Sequence, residues 1–314
     1  MSFAAGGVYT SMTHRPDHRE QPYDALIVGG GPAGLSAALV LGRARKRVLL
    51  IDEGRPANAV SQGVGGLLGH DRPKPGELRA RGRRQLEEHA NVEISHGAVE
   101  DAERIGDMIV AELTGRRLVS AHAIVLAHGL RYDPPPLPGI GALWGRSVFH
   151  CPFCDGWEVR DLSLAVHGSG PEAARSALVV SEWSRDVVLL TDGPARLNGE
   201  RAALERAGVR IREERVREVV GSEGWLQRIE FVDGPAEQRD AMFVRTYRGQ
   251  PNDLADELGC ELSAAGTIVT DADGRTDVAG IYAAGDAATE QFRSVANAIG
   301  AGSRVAQRVA LDLI

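Results

Sequence analysis

The chain predicts an α/β fold with two dinucleotide-binding units, and three observations carry that prediction. An apolar run ends in a glycine turn twice, at 29–34 and again at 168–173, and each turn opens a helical stretch followed by another apolar run. Strand-like and helix-like segments alternate through both halves, the pattern of parallel sheets covered by helices. A length of 314 residues suits about two domains.

In the first unit, Tyr23 to Val28 reads as a strand and Leu35 to Leu41 as the helix after it. Between them stands Gly29-x-Gly31-Pro32-Ala33-Gly34. The first glycine makes a tight turn, the second admits a pyrophosphate, and the third lets helix pack on strand. The helix N-terminus supplies amides and partial positive charge for the phosphates. A second strand, Val48 to Ile51, ends at Asp52-Glu53, where a carboxylate is expected to bond ribose hydroxyls. The glycine-rich stretch Ala57 to Gly69 reads equally as a loop over a cofactor or as a surface connection. Pro75 to Ala90 is expected to be helical, with the basic run Arg79 to Arg84 on its solvated face. Val92 to Val119 reads as a meander of short strands, and Ala123 to Ala127 as a strand running into His128-Gly129. The prolines at 134–136 and 138 suit a crossover between domains.

The second unit repeats the order. Leu162 to Val166 is a strand, Gly168-x-Gly170-x-x-Ala173 the turn, Ala173 to Trp183 a helix, and Asp186 to Leu190 the next strand. Two such units suggest two nucleotides or a duplicated fold. Gln227 to Phe231 and Ala241 to Arg245 close the unit, and Arg248 to Asn252 reads as the return linker. Thr276 to Asp286 is a strand entering a glycine turn with an acid, ahead of a helix to the C-terminus.

Between the units lies Cys151-Pro152-Phe153-Cys154-Asp155-Gly156. Two thiols at this spacing close a small disulfide ring, and a helix start lowers a thiol pKa. The same spacing is half of a zinc site, but structural zinc wants four ligands. Cys260 stands far off without a partner, and His150 alone does not complete a set. The neighbouring nucleotide fingerprints favour the redox reading, with no metal. Asp155 is a candidate proton donor or a helix cap, and Trp157 is expected to pack in the core.

A net charge of −7 argues against nucleic-acid binding, and no apolar run reaches the roughly 20 residues of a membrane span. Three cysteines do not form a secreted disulfide framework. Residues 1–21 are polar, without the apolar core of a signal peptide, so a mobile tail and a cytoplasmic protein are expected.

Four motifs in order, GGGPAG at 29–34, CxxCDG at 151–156, GxGxxA at 168–173 and GIYAAGD at 280–286, make the chain resemble the low-molecular-weight thioredoxin reductases. These are FAD-dependent disulfide oxidoreductases, and the resemblance spans 22–314. It implies two Rossmann-like domains of the three-layer ββα type, the second inserted into the first. Residues 22–133 and 247–314 would hold FAD, and 134–246 would form the NAD(P)-type domain carrying the cysteines. It further implies that Gly129, Gly285, Asp286, Gln291 and Val295 serve the flavin, with Asp286 on its ribityl chain and a helix beginning within 291–296. Cys154 would face the flavin, Cys151 would attack the substrate disulfide, and Asp155 would protonate the leaving thiolate. A thioredoxin-like partner and a homodimer are typical of the family.

Some residues depart from the family pattern. Where the family grips the 2′-phosphate of NADPH with His-Arg-Arg, this chain has Thr191-Asp192-Gly193, with Arg196 the nearest base. A carboxylate there bonds a free 2′-hydroxyl and repels a phosphate, so NADPH is expected to be a poor donor, and either NADH is preferred or neither nucleotide serves. Ala127-His128-Gly129 replaces Ala-Thr-Gly, and His128 is either a flavin-side acid–base group or, more simply, packed at a strand end. The Cys-Pro-Phe-Cys filling with Trp157-Glu158 also resembles a branch that oxidises small dithiols with oxygen, although that branch carries His at the position of Asp155. A ferredoxin-dependent reductase and a non-catalytic redox-sensing flavoprotein are further alternatives.

Overall fold

The computed structural model describes residues 21–314, so the expected N-terminal tail, apart from Gln21, lies outside the described residues. The first unit runs β1 (Tyr23–Val28), α1 (Pro32–Arg43), β2 (Val48–Asp52), α2 (Pro75–Glu87) and β3 (Val92–His96), then the meander β4 (Val99–Ile105), β5 (Met108–Leu113) and β6 (Arg117–Leu126). The chain crosses through β7 (Arg131–Asp133) to β8 (Val148–Phe149) and the single turn α3 (Pro152–Asp155). The second unit follows as β9 (Leu164–His167), α4 (Gly170–Val180), β10 (Val187–Leu190), α5 (Arg201–Arg206) and β11 (Arg210–Arg212). Next come β12 (Val216–Ser222), β13 (Trp225–Phe231), β14 (Glu237–Gln238) and β15 (Ala241–Val244). The return is β16 (Tyr247–Gly249), α6 (Leu254–Glu257), β17 (Ile281–Ala283) and α7 (Val295–Asp312).

The α/β class expected from the sequence holds, with one mixed sheet, in which β5 runs antiparallel to β4 and β6, and one parallel sheet. One has the order β3-β2-β1-β6-β5-β4, and β17 pairs with β6 as well. The sharing follows from the length of β6: Arg117 to Ala121 face β5, while Ile124 to Leu126 face β17. Chain from both ends therefore builds one sheet. The other has the order β11-β10-β9-β15-β8, and β12-β13-β14 form a separate antiparallel sheet. Central strands are buried on both faces, as parallel strands under helices require; every residue of β2, β10 and β15 is buried. The two crossings pair with each other, Tyr247 opposite Asp133 and Gly249 opposite Arg131. The proline cluster follows that crossing rather than forming it.

Two helices determine where a ligand sits. At their crossing, a Cβ on Gly302 of α7 would lie 2.1 Å from the Ala33 carbonyl of α1. Ser36 Oγ also donates to the Ile299 carbonyl at 2.8 Å. Small residues thus let α1 and α7 touch near their starts, and both N-termini meet at one place.

The C-terminal helix begins inside the expected window 291–296. Phe292 takes a left-handed φ of 53°, Ser294 is extended, and Ser294 Oγ accepts from the Asn297 amide at 3.1 Å. That cap starts the helix at Val295 and leaves Gln291 exposed in the preceding turn.

Candidate active site

A cavity of about 430 Å³ opens beyond the C-terminal ends of β1 and β6, within the usual range of small-ligand sites. Gly29 to Ala33, Gly129, Gly285, Asp286 and the start of α7 (Ser294, Val295, Ala298) line it. The three glycines of the first turn do different work. Gly29 has φ 106°, and a Cβ there would meet the Ala127 carbonyl oxygen at 2.5 Å. A Cβ on Gly34 would lie 1.8 Å from the Gly29 carbonyl oxygen, so Gly34 serves helix-on-strand packing below the cavity. Gly31 has nothing within 4 Å of its Cβ position. Backbone is thus exposed to a ligand at Gly31, beside a helix N-terminus, which is what a pyrophosphate requires.

Asp52 reaches the cavity wall, but its carboxylate is already engaged. Arg79 Nη2 holds Oδ2 at 2.7 Å, Arg83 Nη2 bonds the same oxygen, and the Gly54 amide donates to Oδ1 at 3.1 Å. Burial alone would raise this carboxyl; the Gly54 amide and the two guanidiniums outweigh burial and hold it below the usual range. The basic run of α2 is therefore not merely a solvated face, since Arg79 and Arg83 turn inward to clasp Asp52. Glu53 points away, paired with Arg55, and is not on the wall.

The glycine-rich stretch left open by the sequence forms the roof, with Ala57, Asn58, Val60, Ser61, Gly63, Val64 and Gly65 on the cavity. It touches the cysteine turn directly, for a Cβ on Gly65 would lie 2.5 Å from the Cys154 carbonyl oxygen. Cys151 and Cys154 are joined in a disulfide, Cα to Cα 5.3 Å. Cys154 and Asp155 line the cavity and Cys151 does not. The helix starting at Cys151 is only the four residues of α3, too short for a substantial dipole.

Asp155 precedes the 3₁₀ turn Gly156–Val159 yet makes no side-chain cap bond there, so the cap reading fails. Burial, reinforced by Glu158 and opposed by Arg72, pushes its pKa up to about 7. A carboxyl raised this far is partly protonated at neutral pH and can exchange its proton there. Trp157, expected in the core, is 65% exposed, with the Arg160 guanidinium 4.1 Å from its ring centroid. Gly156 explains the difference, because the ring of Trp183 already fills the interior side, 2.9 Å from where a Cβ would be.

At the same end of the cavity, Tyr132 Oη donates to Asp286 Oδ2 at 2.7 Å. Burial raises the Asp286 carboxyl, opposed by that bond and by Arg293 and Arg248. The ring of His150 stacks on Tyr132 at 4.9 Å and on Trp144 at 5.8 Å. Desolvation and the Arg248 and Arg293 guanidiniums push His150 down to about 4, so it stays neutral beside the disulfide. His128 is not simply packed. Gln250 donates its amide to the Gly266 and Ala287 carbonyls, so its Oε1 accepts from His128 Nε2 at 2.7 Å. His128 Nδ1 and Arg293 Nε are buried without partners, and both residues line the cavity. An open glycine cradle, an acid at the far end and unpartnered polar atoms on the wall fit a large polar cofactor of the FAD kind.

The pyridine nucleotide-disulphide oxidoreductase family model matches residues 23–302. The chain belongs to that family. It is 31% identical to the thioredoxin reductase tcpT of Claviceps purpurea, over 93% of this chain and 94% of that one. It also resembles the crystal structure of HlmI (36% identity, TM-score 0.88, covering 95% of this chain and 96% of that one). The thioredoxin reductase from Streptococcus pyogenes MGAS5005 is a third likeness, at 27% identity and TM-score 0.84, covering 93% and 99%. The chain is thus a flavoprotein oxidoreductase of the thioredoxin reductase type, and the family implies FAD and a nicotinamide cofactor.

In this disulphide oxidoreductase the second glycine turn lies apart from that cavity, so Gly168, Gly170, Ala173 and Asp192 are not on its wall. The Gly170 amide already donates to the Ala195 carbonyl at 2.9 Å. Asp192, at a left-handed φ of 50°, accepts from the Val216 amide at 2.8 Å. Sequence reasoning missed Tyr132, His150, Arg293 and Arg79. Tyr132 and Arg293 carry no motif of their own, and His150 and Arg79, though beside named stretches, reach the cavity only through the fold. No helix among the described residues is long and apolar enough to cross a membrane.

Proposed function

We propose that this enzyme reduces a protein disulfide of the thioredoxin kind through Cys151 and Cys154, with Asp155 as proton donor and NADH preferred to NADPH. Bound FAD supplies a two-electron carrier between nicotinamide and the cysteine pair. The observation that carries the reading is the asymmetry of the disulfide: Cys154 and Asp155 face the cavity built by the first glycine turn, and Cys151 does not. The outer Cys151 thiolate attacks the partner disulfide, forming a mixed disulfide and releasing one partner thiolate. Cys154 then attacks Cys151, which closes the disulfide of this structure and releases the second thiolate. Asp155 gives a proton to a leaving thiolate, a role suited to a carboxyl that titrates near neutrality. Neutral His150 adds no competing charge. A reversible dithiol suits a reducing compartment, so the cytoplasm is the proposed location; the proposed assembly is the homodimer typical of the family it resembles.

The second reading, a small-molecule dithiol oxidase delivering electrons to oxygen, is favoured by the Cys-Pro-Phe-Cys filling and by Trp157-Glu158. A ferredoxin donor would fit if neither nucleotide reduces the flavin. Trapping and oxygen uptake separate the readings. Cys154→Ser should accumulate a mixed disulfide with oxidised thioredoxin through Cys151, whereas Cys151→Ser should not. Trapping by Cys151→Ser alone would exchange the two roles. Rapid oxygen consumption with small dithiols, without trapping of thioredoxin, would establish the oxidase instead.

A further inference from the structure

The glycine-rich roof ends in a tightly built turn. Val64 and Arg72 close it, with the Arg72 amide donating to the Val64 carbonyl at 2.9 Å and the Val64 amide to the Pro73 carbonyl at 2.9 Å. Asp71 Oδ1 accepts from the Gly66 amide at 2.8 Å. Within this turn Arg72 adopts a left-handed φ of 66°, a conformation that favours glycine. Arg72 Nε lies 3.2 Å from Glu158 Oε1, joining the roof to the turn after the disulfide. Both side chains are about one-third exposed, at 32% and 27%. A pair so open to water adds little stability, so stability alone does not account for a strained arginine.

Asp155 leads into the 3₁₀ turn Gly156–Val159, and Glu158 lies within that turn three residues on. Arg72 pairs with Glu158 from the roof. We propose that Arg72 and Glu158 are positioning residues that act through their ion pair to set how readily Asp155 gives up its proton. The proposal rests on Asp155 being the proton donor. Around Asp155, Glu158 comes from its own turn and Arg72 from the roof. Gly65 and Trp183 contribute no charge. Cys151 and Cys154 titrate only when the disulfide is open. Glu158 favours the protonated acid and Arg72 the ionised one, matching the opposed effects of these two residues on its pKa.

The direct test is a carboxyl-¹³C aspartate NMR titration of the oxidised holoenzyme, in which the cysteines do not titrate, with Asp155 assigned through Asp155→Asn. Glu158→Gln should move the Asp155 midpoint downward and Arg72→Gln upward. Arg72→Lys should stay near the parent, and the double variant should lie between the single ones. A displacement of about one pH unit changes the protonated fraction at pH 8 by up to about tenfold. Disulfide turnover at pH 8 should then fall about tenfold in Glu158→Gln and rise a few-fold in Arg72→Gln. Midpoints that move together, or not at all, overturn the proposal. If the midpoints move oppositely but Asp155→Asn keeps the basic limb of turnover, the ion pair stands and the proton-donor role of Asp155 is lost.

Discussion

The two glycine turns share a sequence pattern up to its last position, Gly34 against Ala173, and differ in what surrounds them. At the first, Gly31 faces open cavity and the acid at the end of the next strand, Asp52, is buried between Arg79 and Arg83. At the second, the Gly170 amide is occupied by the Ala195 carbonyl, and Asp192 is exposed, its carboxylate held by a backbone amide and by no arginine pair. The pattern places a glycine turn at the head of a helix, yet Gly31 (φ −77°) and Gly170 (φ 78°) differ in backbone, and the charge presented to a ligand depends on residues brought in from elsewhere. In the first unit these come from α2, and in the second from the start of β12.

The largest effect should come from filling the first turn. Gly31 has φ −77°, which any residue adopts, so Gly31→Leu should fold and lose its bound flavin, giving colourless protein by absorbance. Retention of full flavin would remove the cradle from Gly31 and break the contrast between the turns. Gly170→Leu strains a turn at φ 78° and so should lose some stability, yet the folded protein should keep its flavin.

A smaller effect should distinguish the two acids. Asp52→Asn keeps an acceptor for the Gly54 amide but leaves Arg79 facing a neutral group in a buried place, so it should cost about 2 kcal/mol of stability at pH 7. The Asp52 carboxyl is held below its ordinary value. Its contribution is then fully present above the unfolded-state pKa and fades as pH falls through the lower folded one, so parent and variant should converge in strong acid. Asp192→Asn, at an exposed site, should change stability by less than about 0.5 kcal/mol. Denaturant melts across pH measure both, and equal losses would erase the distinction.

The smallest effect concerns the electron donor. Asp192→Asn retains an oxygen for the Val216 amide and removes one negative charge, so the preference for NADH over NADPH should relax by about tenfold, read as anaerobic flavin bleaching by each nucleotide. Faster bleaching of the parent by NADPH than by NADH would show that Arg196 or another base serves the 2′-phosphate.

The sequence by itself determined the class of the fold, both glycine turns, the redox pair and the acid beside it. These are local matters: a turn that only glycine permits, a two-residue spacing that closes a ring, and strand and helix periods written in short windows. The start of the last helix was less legible, because the resemblance placed it only within 291–296, and the left-handed Phe292 and the Ser294 cap set it at Val295. Only the tertiary structure decided which side chains share a wall. Asp52 looked like a free ribose ligand until α2 packed Arg79 and Arg83 against it. Trp157 looked like core until Trp183 occupied the space behind Gly156. The roof over the cysteines could not be assigned, since its contacts with Cys154 and Glu158 join segments some ninety residues apart. Charge and burial depend on what packs across such distances, and no local pattern in the chain records that.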